Sequence, residues 1–215
     1  MVNYKILQKA RDITRVCFGE SHTYDWGFNL VNKYQDPFVW CYAVMIFLAD
    51  WNRIYYKGKD VGNVITDTIE KLCPLFMELK ATILKLRDLK LDELQEPELE
   101  SLKPIIVCLF NKTAETVGST GASKALHILV PSLFMMWDNS IREHYGLKSD
   151  AISYFEFLKK MRLELREAVE SYSKDRGINN YSKAREELEK ELDKPLLKVM
   201  DEYNWLAFTR GYKFG

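Results

Sequence analysis

From Asp150 onward the chain spaces its large apolar residues as a helix does. Tyr154, Leu158, Met161, Leu165, Ala168 and Tyr172 follow one another at three- and four-residue steps. That spacing lays one stripe along a long amphipathic helix, which Gly177 ends. The same period runs through "NYKILQKARDITRVCF", where it predicts Ile6, Ala10, Ile13 and Cys17 on one stripe. Few segments alternate as strands do. The expected fold class is therefore all-α.

Helix boundaries follow from caps and breakers. Asp36-Pro37 opens a helix with proline in its first turn. This helix carries the apolar run "FVWCYAVMIFLA", Phe38 to Ala49, and is expected to end near Lys57-Gly58. The run is shorter than the roughly 18–20 residues of a membrane span, so it reads as a buried core helix and no membrane is expected as a partner. A further helix from Val61 to Cys73 meets Pro74, and "FMELKATILKLRDLKLDEL" leaves room for two short helices. The acidic stretch Asp92 to Pro104 is expected as a joint between lobes spanning about 1–97 and 98–215 of a single helical domain. A Ser101 cap with Pro104 opens a helix that turns Ile105, Ile106, Leu109 and Phe110 inward. "VGSTG" breaks it, and a second helix runs from Thr120 to Val130 before Pro131. Residues 104–130 thus read as helix, glycine turn, helix. "YSKAREELEKELDK" reads as a charged surface helix, Pro195 starts the last segment, and the charge runs at 156–198 read as solvated faces.

Composition narrows the function classes. Hydrophobic residues make up 47% of 215, enough for a sizeable core, and the formal net charge is zero. No chain-wide basic field exists to coat nucleic acid, although a few phosphates can be gripped locally. Cys17, Cys41, Cys73 and Cys108 form no CxxC pair and no metal-ligand spacing. Three lie in apolar runs and read as buried reduced thiols, and no metal or organic cofactor is implied. The N-terminus carries charges throughout and lacks the apolar block of a signal peptide, so the expected location is the cytoplasm.

One segment carries a chemical pattern. "GASKALHILVPSLFMMWDNS", Gly121 to Ser140, sets a single amine, Lys124, at the start of a helix. An almost wholly apolar stretch then leads to a single carboxylate, Asp138. Gly118 and Gly121 can take positive φ, and the amides of Gly118 to Ser123 can cradle a phosphate at a helix N-terminus. The segment 104–146 resembles the helix-hairpin-helix DNA glycosylases of the 8-oxoguanine type. The resemblance rests on the turn "VGSTG", then Lys124, then Asp138 opening a helix. It implies a two-lobed helical bundle with a helix-hairpin-helix element. It implies that Lys124 is a Schiff-base nucleophile and that Asp138 assists at the sugar. Gly118, Ser119, Gly121 and Ser123 would meet the DNA backbone. The partner would be damaged double-stranded DNA; the sequence leaves the oligomeric state open, with a monomer favoured.

That chemistry asks for these residue types. A carboxylate stabilises positive charge building on the deoxyribose. An uncharged amine can attack C1′ and form an imine, and burial beside apolar side chains lowers a lysine's pKa. The flipped base would enter a pocket walled by Phe134, Met136 and Trp137, with His127 near the lysine. Plainer roles stand beside these. Lys124 reads equally as an exposed helix lysine, Asp138 as an N-cap, His127 as a satisfied semi-buried histidine, and Met136 and Trp137 as core. Asp50 and Arg53 read as an ion pair at a helix end or as cleft residues. His22 and His144 show no partners. The alternatives to a glycosylase/lyase are a non-catalytic helical DNA- or protein-binding module and a monofunctional glycosylase.

Overall fold

The structure, a computed structural model, describes residues 2–19, 22–51 and 60–214. Among these residues every regular element is a helix, and none is long and apolar enough to cross a membrane. The helix end expected near Lys57-Gly58, and Arg53 as a partner for Asp50, lie outside the described residues.

Helix α1 (Tyr4–Phe18) starts on the Asn3 side chain, which accepts from the Ile6 amide at 3.1 Å, and stops at Gly19, φ 77°. Its buried stripe is Tyr4, Leu7, Ala10, Arg11 and Thr14. This is turned from the expected one: Cys17 is exposed and Ile13 only partly covered. Arg11 explains the shift, because its guanidinium reaches inward to the Leu192 carbonyl at 3.2 Å. Helix α2 (His22–Lys33) packs on α3 (Pro37–Trp51), which is buried around most of its circumference.

Helix α4 (Val61–Leu86) continues through Pro74, where a stop was expected, and takes in the first of the two short helices expected after it; residues 87–94 form turns instead of a second one. Proline there leaves the Glu70 carbonyl without its helical amide. Glu70 is exposed, so water can serve that carbonyl.

Helix α5 (Glu96–Leu129) begins earlier than the Ser101 cap suggested. A capping box between Gln95 and Glu98 starts it, with the Gln95 amide donating to Glu98 at 2.7 Å. The expected acidic joint is therefore the start of a helix, and Asp92, Leu94 and Leu99 are buried. At Gly118 the backbone turns to φ 73°, ψ 168°, and the ladder breaks. The glycine turn thus appears as a kink between two helical halves. Only Gly118 has positive φ; Gly121 is buried inside the second half. The first half buries one face, with Ile105 exposed, while the second half is buried almost all round from Gly121 to Leu129.

An apolar strap from 130 to 137 follows, then α6 (Asn139–His144), α7 (Ala151–Arg176), α8 (Tyr181–Leu192) and α9 (Leu196–Asn204). Asp150 caps α7 and Gly177 ends it in the left-handed region, as the sequence predicts. Helix α8 is less of a surface helix than expected: Arg185 is buried and paired with Asp92 at 3.0 Å. Arg162 and Lys198 are buried too, against their reading as solvated charges. Cys41 and Cys73 are buried, whereas Cys108 is exposed. One contiguous core runs from Val2 to Met200, and α1 packs on α7, α8 and α9.

Candidate active-site cleft

The strap after α5 must satisfy its own backbone while lying in the core, because buried carbonyls need donors. The core supplies them. Tyr154 donates its hydroxyl to the Met135 carbonyl at 2.7 Å. His127 Nδ1 lies 2.7 Å from the Phe134 carbonyl, which fixes that nitrogen as the donor and leaves Nε2 to accept from the Tyr24 hydroxyl at 3.1 Å. The Trp137 amide donates to Ser123 Oγ at 3.2 Å, and its indole N–H to the Ser119 carbonyl at 3.3 Å. These bonds lash the strap to the second half of α5 and to α7. They deliver Asp138 to a fixed place beside the Gly118 kink.

There a cleft of about 840 Å³ opens. Gly118, Ser119, Thr120 and Gly121 line one edge, and Asp138 and Arg142 lie beside them. The kink restarts the helix, and first-turn amides of a restarted helix lack the usual carbonyl partners. Arg142 adds a cation: it donates to Ser119 Oγ at 3.3 Å and to Asn139 Oδ1 at 2.5 Å, and lies 5.4 Å over the Trp137 ring.

Lys124 and Asp138 both line this cleft. Lys124 is partly buried, and its Nζ donates to the Trp51 carbonyl at the end of α3. Desolvation lowers its pKa below the ordinary lysine value, opposed by the Asp201 and Asp138 carboxylates and aided by the Lys198 charge. A neutral amine can keep one N–H on that carbonyl and still present a lone pair. Asp138 caps α6, with Oδ1 accepting from the Ile141 amide at 2.9 Å, and its Oδ2 accepts from the Thr209 hydroxyl at 2.8 Å. The cap expected from the sequence is present, and capping leaves the carboxylate on the cleft.

The cleft floor holds charges that the sequence reading passed over. Lys198, 1% exposed, sits 3.3 Å from both Asp201 and Glu202 and 4.6 Å over the Trp51 ring. Burial raises the Asp201 carboxyl to about 6, against the pull of Lys198 and Lys124. Thr14 Oγ1 and Glu202 Oε2 are buried without hydrogen bonds. The available signal was Lys198, Asp201 and Glu202 recurring at three- and four-residue steps on one face of a short helix.

Other expected site residues fall elsewhere. His127, Phe134 and Met136 are fully buried in the core and do not line the cleft; Trp137 does. Burial drives the His127 pKa down to about 3, so it is a neutral structural histidine. Ser123 is buried on Trp137 and faces inward. His144, without a visible partner in the sequence, stacks on Phe208 at 3.6 Å. Among the described residues no group of three or more His, Cys, Asp or Glu could hold a metal ion. No protein-family model, curated protein or solved structure matches this chain.

Proposed function

We propose that the protein is a DNA-repair glycosylase and lyase that removes an oxidised purine, with Lys124 as nucleophile and Asp138 as the carboxylate at the sugar. One observation carries the reading: an amine of lowered pKa and a rigidly held carboxylate line the same cleft. In the reaction, the Lys124 lone pair bonds to C1′. The N-glycosidic pair leaves with the base, which takes up a proton. The new ammonium at Nζ loses one proton, the freed nitrogen pair forms the C1′=Nζ bond as the C1′–O4′ pair leaves on O4′, and O4′ takes up a proton, giving the protonated imine. Asp138 offsets the positive charge that grows on the sugar before the new bond is complete. The Gly118 kink and Arg142 supply a local grip on phosphate, which suits a chain without net charge.

The hydrogen bond from Lys124 to the Trp51 carbonyl favours a second reading, in which the amine is only an anchor and Asp138 activates water. Borohydride separates the two. Mixed with a duplex carrying an oxidised guanine, the wild-type protein should give a covalent adduct that Lys124→Gln does not. Base release without any adduct supports the monofunctional reading. Binding without base release supports a non-catalytic module.

A further inference from the structure

After α9 the chain leaves α-helical geometry. Trp205–Thr209 forms a π-helical turn, closed by the Arg210 amide on the Trp205 carbonyl at 3.0 Å. A second bond, from the Tyr212 amide to the Leu206 carbonyl at 2.9 Å, and Gly211 at φ 71° stop it there. A π turn takes about one more residue than an α turn, so a side chain after it points roughly 100° away from its α-helical direction. Thr209 is the last residue of this turn, where the α-helical register has already been left, and its hydroxyl reaches Asp138 Oδ2 at 2.8 Å.

The turn is braced on both sides. Phe208 stacks on His144 at 3.6 Å with planes 15° apart, and meets the Tyr145 ring edge-on at 5.7 Å. Trp205 meets Phe18 edge-on at 4.9 Å, and Arg210 lies over both rings. Helix α6, whose N-cap is Asp138, is thus clamped to the C-terminal turn. Oδ1 of Asp138 is already committed to the cap. Oδ2 is the oxygen left for chemistry, and Thr209 is its hydrogen-bond donor.

We infer that the π turn serves to place Thr209 as a positioning residue for the Asp138 carboxylate, holding Oδ2 toward the cleft. This rests on the glycosylase reading above. A carboxylate that must meet a developing cation works best when its direction is set before the substrate arrives.

The test uses the full chain in three forms. Thr209→Val keeps the shape and removes the donor; Thr209→Ser keeps the donor. With a duplex carrying an oxidised guanine, Thr209→Val should lower kcat for base release about 10- to 100-fold, with KM little changed. Thr209→Ser should restore most of that loss. A bracing role alone would leave kcat unmoved in Thr209→Val, or leave serine as poor as valine; either result overturns the inference. The Asp138 13Cγ chemical shift reads the same contact without turnover. It should move in Thr209→Val and stay wild-type in Thr209→Ser, and an unmoved shift in valine also overturns the inference. An inactive wild type would sink the glycosylase reading while this shift still judges the contact.

Discussion

Two buried charge clusters in this protein are built from similar residues and differ in how completely their groups are paired. In the first, Arg185 Nε donates to both Asp92 oxygens at 3.0 Å, Tyr181 adds its hydroxyl at 2.9 Å, and Glu189 accepts from Arg185 Nη1 at 2.6 Å. Arg185 is held more firmly protonated than a free arginine: burial opposes its charge, and Asp92 and Glu189 outweigh that. In the second, Lys198 stands between Asp201 and Glu202 beneath the cleft, and Lys124 shares the same surroundings. Asp201 there is pushed toward its neutral form, Lys124 toward the free amine, and Glu202 Oε2 lacks a hydrogen bond. A closed network fixes its charges. In the second, burial opposes the Lys198 charge and Glu202 and Asp201 outweigh it, while Asp201 and Lys124 are shifted toward their neutral forms, as a proton-transferring site would require.

The first way to break this comparison is Arg185→Met. It strands Asp92 in the core, with Tyr181 as its remaining partner, and should cost about 3–5 kcal/mol of unfolding free energy. Urea titration measures it. Asp201→Asn removes a charge that the fold already holds weakly and should cost about 1–2 kcal/mol. Equal costs would mean that the two clusters are the same kind of structure.

The helices were legible because their stripes and caps are local: Asp150, Gly177 and the Pro37 entry all stand where the residues say. Pro74 misled because a proline stops a helix only where nothing else holds it, and α4 is held by α3 and α5. Lys124 and Asp138 could be picked out by type, but their sharing a cleft depends on a strap held by Tyr154 of α7 and by His127, itself braced by Tyr24 of α2. Asp92 and Arg185 sit 93 residues apart, so Asp92 read as the start of a joint and Arg185 as a solvated charge until the fold joined them. The π turn left no sequence signal, since its register is set by what Phe208 and Trp205 pack against.

A finer test concerns pH. Asp201 keeps a proton up to about pH 6 when folded, whereas an unfolded aspartate loses it near 4. Its contribution to stability therefore falls as pH rises through that window. His127 runs the other way. It stays neutral down to about pH 3 when folded, while the unfolded histidine takes a proton below about 6.5, so its contribution rises with pH. Between pH 4 and 6 the two oppose each other. Asp201→Asn should unmask His127, making stability climb more steeply with pH by up to about 1.4 kcal/mol per pH unit. Thermal melts across that range check it. The same substitution removes a carboxylate that holds the Lys124 proton, so the rise of borohydride trapping with pH should move to lower pH. A rise that stays at its wild-type pH would show that Asp201 does not act on Lys124.

The smallest stability effect is the sharpest on the site. Asp138→Ala should lose the cap of α6 and cost about 1 kcal/mol, while Asp138→Asn should stay within about 0.5 kcal/mol of wild type. The asparagine oxygen can accept from the Ile141 amide as Oδ1 does now. Its Nδ2 can donate to Thr209, whose hydroxyl turns round to accept, so neither hydrogen bond is lost. Only the negative charge goes. Base release should then fall steeply in Asp138→Asn although its melting curve hardly moves. Wild-type activity in that variant would reduce Asp138 to a cap and leave the cleft without a carboxylate at the sugar.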